Sequence, residues 1–183
     1  MLEAAGVPFQ VVVSDVDEDA AKREFRRRGL GAAPLAEALA EAKASAAQAG
    51  PGDLVLGSDQ TLELEDGGML DKPASREEAF AQLKALSGRT HRLHSAAAIL
   101  EEGRPVWRHV ESVVLTMRPL GADFLSAYLE QEYEAIRWSV GGYRIEGPGV
   151  QLFHRIEGSH FAILGLPLLP LLSYLRERRV IPG

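Results

Sequence analysis

The sequence predicts an α/β protein, and three observations carry that expectation. Short runs rich in Val, Leu and Ile alternate with longer segments whose apolar residues recur at helical spacing. The alternation continues along the whole chain, with no repeat, low-complexity run or long linker to interrupt it. The chain has 183 residues, 46% hydrophobic and 25% charged, which suits one domain or two tightly packed lobes.

Each element has its own signal. "PFQVVVSD" predicts a buried strand, with Phe9, Val11, Val12 and Val13 between Pro8 and Asp15. "EDAAKREFRRRG" predicts a helix closed by Gly29, its cations gathered at the C-terminal end that favours them. "PLAEALAEAKASAAQAG" predicts a helix with Pro34 in its first turn, Leu35, Ala38, Leu39 and Ala42 on one face, and Gly50 as its stop. "DLVLGSD" and "QTLELED" form a strand region ending at the Gly67-Gly68 turn. Ser75 and Glu78 make a capping box for a helix over Arg76–Leu86, stopped by Gly88. "THRLHSAAAILEEG" and "VWRHVESVVLTMR" predict two long strands joined over 101–105. "GADFLSAYLEQEY" predicts a helix, "GVQLFHRIEG" a strand and "LPLLPLLSYLRERR" a terminal helix.

Composition narrows the function. A formal net charge of −6 argues against sequence-independent binding of DNA or RNA, which needs excess Lys and Arg. A small phosphorylated ligand held by a few local cations stays open. With no Cys there are no disulfides or thiolate metal sites. The five His show no ligand spacing, so a built-in zinc site is not expected. Met1 is followed by "LEAAGVPFQ" rather than a basic start and apolar core, so no signal peptide is read and the cytoplasm is the expected location. The most apolar stretch, residues 161–175, is too short to span a bilayer and contains two prolines, so no membrane association is expected.

Several polar residues stand out. Asp59 follows an apolar run and Gly57, which removes a side chain and allows close approach of a ligand or backbone. Strand ends in α/β proteins gather ligand sites, but a turn cap explains Asp59 equally well. Asp15, Asp17, Glu18 and Asp19 follow the first apolar run. They suit either a divalent cation, which prefers oxygen ligands, or an acidic first helical turn. Lys43 borders the apolar face of the alanine-rich helix; a snorkelling surface lysine is the plainer reading. Lys72, before Pro73, could reach a phosphate as a point charge or lie exposed in a loop. Arg89, Thr90 and His91 head a strand, where a turn and half-buried strand account for them as well. Tyr143 and Glu146 sit among Gly141, Gly142, Gly147 and Gly149, in either a bent binding loop or a plain connection.

Taken in order, the motifs "DVDE", "LAEAKA", "GSDQ", "DKP", "LSGRTHRLHSA" and "EGSHFAILGLPLLPLL" resemble the Maf family of nucleoside triphosphate pyrophosphatases over nearly the whole sequence. The resemblance implies a Maf/ITPase-like fold: a mixed twisted β-sheet with flanking helices and two lobes around a central cleft. It implies hydrolysis of a nucleoside triphosphate between the α- and β-phosphates, a role in removing modified nucleotides, and an association with septum formation. It makes Asp59 the general base and Glu18 a carboxylate that positions a metal or water; Asp59 can share the metal. Lys43 and Lys72 neutralise the triphosphate, Arg89, Thr90 and His91 contact substrate, and the loop at Glu146 faces the base. The implied cofactor is Mg²⁺ or Mn²⁺, and a homodimer is expected by resemblance alone. Ser58-Asp59-Gln60 with Glu146-Gly147 resembles the branch acting on 7-methyl-GTP rather than the dTTP and UTP branch.

One departure is plain. Family members begin with a strand and a Ser-rich, Arg-containing loop, roughly "LASxSxxR", ahead of the first helix. Here Met1 and Leu2 already correspond to that helix. The expected single domain over 1–183 thus lacks both, and a start assigned too late is the favoured explanation. A chain truly without them should expose apolar edges and bind triphosphate more weakly. Two other functions fit parts of the sequence. "VVVSDVDED" suits a haloacid-dehalogenase-type phosphatase with Asp15 as nucleophile and Asp53 and Asp59 as a later acidic pair, though that spacing is off and Asp19 stands where Thr or Val is usual. A non-catalytic nucleotide-binding regulator of cell division is the other.

Overall fold

The computed structural model describes residues 1–183. In chain order the elements are α1 (Glu18–Arg27), α2 (Ala32–Ala46), β1 (Leu54–Leu64), β2 (Met69–Leu70), α3 (Arg76–Leu86), β3 (Thr90–Glu101), β4 (Arg104–Met117), α4 (Ala122–Ile136), β5 (Phe153–Glu157), α5 (His160–Ile163) and α6 (Leu168–Glu177). The five strands form one sheet in the order β2-β1-β3-β4-β5. β2 pairs antiparallel with β1 at Leu62 and Glu63, and β5 antiparallel with β4 at Val114 to Met117. The α/β class read from the sequence therefore holds, and helices flank the sheet.

Local chemistry explains most boundaries. Asp17 accepts a hydrogen bond from the Ala20 amide at 2.9 Å, capping α1. Ser75 accepts from Glu78 N at 3.2 Å, and the Glu78 carboxylate reaches back to Ala74 N at 2.9 Å, so the capping box forms one residue wider than its simplest pattern. β3 and β4 are joined by Glu102 and Gly103, with φ of 49° and 72°. That pair of positive φ values is the turn that matches strand twist in a two-residue hairpin.

Contacts divide the chain into two compact units. Unit 1 comprises Met1–Gln60, Ser95–Glu111 and Ser159–Gly183. One apolar cluster there joins Ala36, Ala40 and Ala44 of α2 to Ala96, Ala98 and Leu100 of β3. The other joins Ala97 and Ile99 of β3 to Leu168, Leu171 and Leu175 of α6. Alternate β3 residues thus serve opposite faces, as strand geometry requires. Unit 2 comprises Thr61–His94 and Ser112–Gly158. Its buried residues include Leu62, Leu83, Leu93, Val113, Leu115, Leu125 and Leu129, and α3 packs on α4.

Three expectations change. The run Phe9 to Val13 is not a buried strand: it has no regular structure, and Val11 and Val13 are 84% and 82% exposed. Apolar composition alone does not make a strand; a hydrogen-bonded neighbour must pair with it, and none does here. Next, β1 is one continuous strand, so Asp59 lies within it rather than past its end. Finally, α2 ends at Ala46, and its buried face is Leu35, Ala36, Leu39, Ala40 and Ala44, one residue round from the predicted stripe at Ala38 and Ala42. No helix is long and apolar enough to cross a membrane.

Candidate active site

Gly57 decides the geometry on β1. A Cβ at that position would lie 2.1 Å from the Ala40 carbonyl oxygen and 2.8 Å from the Ala44 amide nitrogen, far inside contact distance. Only a residue without a side chain lets α2 lie this close to the strand. The small residues Ala40 and Ala44 complete the approach. The result brings Lys43, one position before Ala44, onto Asp59, two positions after Gly57.

Lys43 Nζ lies 2.5 Å from Asp59 Oδ1 and 3.1 Å from Glu18 Oε2. Glu18 Oε1 lies 2.8 Å from Lys22 Nζ, one helical turn on. So unit 1 gathers two carboxylates around one shared ammonium, with a second ammonium behind. Asp59 is only 8% exposed, and its other oxygen, Oδ2, is buried without a hydrogen-bond partner. An unpartnered buried carboxylate oxygen is costly in a finished structure and marks a place for a donor or a cation.

The two acids are tuned in opposite directions. Burial is the largest influence on Asp59 and raises its pKa above the usual carboxylate value; the charge and hydrogen bond of Lys43 offset this only in part, and the nearby Glu18 charge adds to the rise. Burial would also raise Glu18, but hydrogen bonds and charges from Lys22 and Lys43 outweigh it and hold Glu18 at about 2. Lys43 itself is raised: burial works against its charge, and Asp59 and Glu18 more than compensate. A pair of acids with separated pKa values suits one to hold charge and the other to exchange a proton.

No group of three or more His, Asp or Glu side chains converges on one point. Asp59 and Glu18 nonetheless fit a hard cation of the kind that takes one or two protein carboxylates and completes its shell with phosphate oxygens and water. The orphaned Asp59 Oδ2 is the atom offered for it.

Behind Asp59, the next residue is fixed from the other face of β1. Gln60 Nε2 lies 2.7 Å from Ser95 Oγ, 2.9 Å from the Ala162 carbonyl and 3.1 Å from the Ile163 carbonyl. Ser95 Oγ also donates to the Ala162 carbonyl at 2.5 Å. This clip uses carbonyls at the end of α5, where the Ala162 oxygen also accepts from Gly165 N at 3.0 Å. Lys22 and Ser95 escaped the reading of the sequence; the i, i+4 spacing of Glu18 and Lys22 was the only visible signal.

The remaining sequence-derived candidates belong to unit 2. Lys72 is exposed between β2 and α3. Arg89 is exposed at the turn before β3, and its carbonyl accepts from Met117 N at 3.0 Å. Thr90 Oγ1 lies 3.2 Å from Thr116 Oγ1. Glu146 is exposed in the loop that follows Gly141 and Gly142, next to an anchor in which Arg144 Nε donates to Glu132 at 2.9 Å. His91 differs from expectation. It is 1% exposed, its Nε2 lies 2.7 Å from the Tyr143 hydroxyl, and it packs on Tyr143 and Phe153. Burial depresses its pKa to about 4, so it is a neutral interior group that supports the Tyr143 loop from within. Of the phosphatase alternative, the nucleophile Asp15 is exposed in the irregular segment before α1, and Asp53, one of the acidic pair with Asp59, accepts from Gly50 N at 2.7 Å in a turn.

Comparison with known proteins adds to this geometry. A family model described as "Maf-like protein" matches residues 1–178. A relative from Sphingopyxis alaskensis named nucleoside triphosphate pyrophosphatase is 46% identical over 183 residues, covering all of this chain and 92% of the relative. One of the same name from Caulobacter vibrioides is 48% identical over 176 residues, 96% of this chain and 88% of the relative. A Brucella abortus protein named 7-methyl-GTP pyrophosphatase is 42% identical over 184 residues, covering all of this chain and 92% of its own length.

Proposed function

Because this chain belongs to the Maf family, we propose that it is a nucleoside triphosphate pyrophosphatase with Asp59 as its general base. The observation that carries the assignment is the buried Asp59 carboxylate, one oxygen on Lys43 and the other without a partner. In the proposed reaction, water attacks the α-phosphorus and the bond from it to the α–β bridging oxygen breaks. Asp59 takes the water's proton, and the products are the nucleoside monophosphate and pyrophosphate. Lys43 and Lys72 offset negative charge on the triphosphate and on the departing pyrophosphate. Glu18, ionised far below neutrality, keeps Lys43 charged and in place. A divalent cation held by Asp59 and Glu18 would supply further charge stabilisation to the phosphates. The overall charge of −6 is no obstacle, because the local field governs the site.

For the base, this proposal extends to guanine-type nucleotides, 7-methyl-GTP among them. It is supported by Ser58-Asp59-Gln60, by Glu146, and by a relative named for that substrate. The test is pyrophosphate release from GTP, 7-methyl-GTP, UTP and dTTP with Mg²⁺ or Mn²⁺. The wild-type chain should release pyrophosphate and Asp59→Asn should not; equal rates in the two proteins would sink the role of Asp59. Glu146→Gln should weaken the preference for guanine-type bases, and an unchanged ranking removes Glu146 from base recognition.

A further inference from the structure

A second polar constellation lies wholly within unit 2. Strand alternation sends Leu62, Leu93, Val113 and Leu115 into the buried core and turns their neighbours to the opposite face. On that face β1 presents Glu63, β3 presents His94 and β4 presents Ser112, and the three side chains meet. His94 Nδ1 lies 2.7 Å from Ser112 Oγ, and His94 Nε2 lies 3.1 Å from Glu63 Oε2. His94 is 5% exposed, the Glu63 side chain is 27% exposed, and Ser112 is exposed.

The arrangement has a direction. In the tautomer with hydrogen on Nε2, His94 donates to Glu63 and accepts from the Ser112 hydroxyl. Both ring nitrogens are thereby engaged, so the imidazole cannot turn, and the carboxylate it holds is pinned across two strands. A glutamate loose on a surface keeps most of its rotamer freedom; this one has already lost it. Its Oε2 is taken by His94, leaving Oε1 without a protein donor at a partly exposed position. A fixed, half-exposed acceptor of this kind contributes little to core packing and is what pre-organised recognition needs.

We infer that Glu63, positioned by His94, is a binding residue for the donor-bearing edge of a guanine-type base. The inference rests on the nucleotide-hydrolysing reading above for the class of ligand. An ionised carboxylate only accepts hydrogen bonds. Guanine offers it two adjacent donors, N1–H and the N2 amino group. Uracil and thymine flank their single N3–H with two carbonyl oxygens, which a carboxylate repels. Adenine places an acceptor, N1, beside its amino group. Methylation at N7 adds positive charge to guanine and strengthens the attraction. Glu146 sits on an exposed loop, whereas Glu63 is held by a buried partner, so the two carboxylates are separable by mutation.

The experiment has a catalytic arm and a binding arm. In the first, kcat and KM for GTP, 7-methyl-GTP and UTP are compared among wild type, Glu63→Gln, His94→Leu and Glu146→Gln. Glu63→Gln should raise KM for the two guanine nucleotides at least about tenfold and leave UTP within about twofold, a range set by the usual worth of hydrogen bonds to a charged acceptor. His94→Leu should move the same ratio in the same direction by less. Equal losses for GTP and UTP would show a merely structural role, and no change would show none; either overturns the inference. In the second arm, guanosine, 7-methylguanosine and uridine are titrated by calorimetry. These nucleosides carry no phosphate, so this arm reads the base site even if no triphosphate is cleaved. Wild type should favour the guanine nucleosides and Glu63→Gln should lose that preference; a wild type with no preference overturns the inference without touching the assignment of Asp59.

Discussion

Asp59 shows how one side chain is tuned by its immediate surroundings. It must be ionised to take a proton, so activity should be present above its pKa and lost as pH falls through it. Burial places that pKa above the ordinary 3.8, while Glu18, at about 2, stays ionised throughout. The acid limb of the kcat profile should therefore report Asp59. Replacing Lys43 with Met removes the charge and hydrogen bond that lower Asp59, so the limb should move to higher pH. A limb that stays put would show that another group governs it. Asp59→Asn should lower kcat by about 10²–10⁴-fold, the usual contribution of a positioned base, with circular dichroism unchanged.

At the scale of elements, the contact between β1 and α2 is decisive. The close approach at Gly57 is what aligns Lys43 with Asp59. Gly57→Ala would drive a methyl group into the α2 backbone, and overpacking of this kind costs about 1–3 kcal/mol. The urea midpoint should fall, and kcat should fall further than folding loss explains, because the helix that moves carries Lys43. A stable variant with full activity would contradict the link between packing and site. Gln60 does related work from the opposite face of β1. Gln60→Ala leaves Ser95 with fewer partners and removes the side-chain donor to the Ile163 carbonyl, while Ala162 keeps Ser95 Oγ, so a loss of about 1–3 kcal/mol in unfolding free energy is expected. Much at this scale was legible in the sequence. The Ser75–Glu78 box and the helical periodicities are read from neighbours, and each acts over a turn or so. The Phe9 to Val13 run was misread for the same reason: its composition is local, but a strand needs a partner distant in sequence.

Across the whole molecule, stability should follow pH through buried and paired groups. His91 titrates near 4 in the folded protein against an ordinary 6.5. Its folded pKa is depressed, so the stability it contributes is present above about 6.5 and is lost as pH falls from there towards 4. Glu18 is likewise depressed, from 4.5 to about 2, so its contribution is lost over that lower range. Urea midpoints measured from pH 7 to 4 should decline for wild type, and His91→Gln should flatten the upper part of that decline. The histidine itself was visible in "RTHRLH", but its place in the interior was not. What the sequence determined by itself was the class of fold, the order of its elements from α1 onward, and the family, through motifs spread along nearly the whole chain. What only the tertiary structure decided was which charges meet. Asp59, Lys43 and Glu18 come from β1, α2 and α1, and Glu63, His94 and Ser112 from three strands. Periodicity and capping depend on residues a few positions apart. Burial, pKa and ion pairing depend on groups that become neighbours only when helix and sheet have packed.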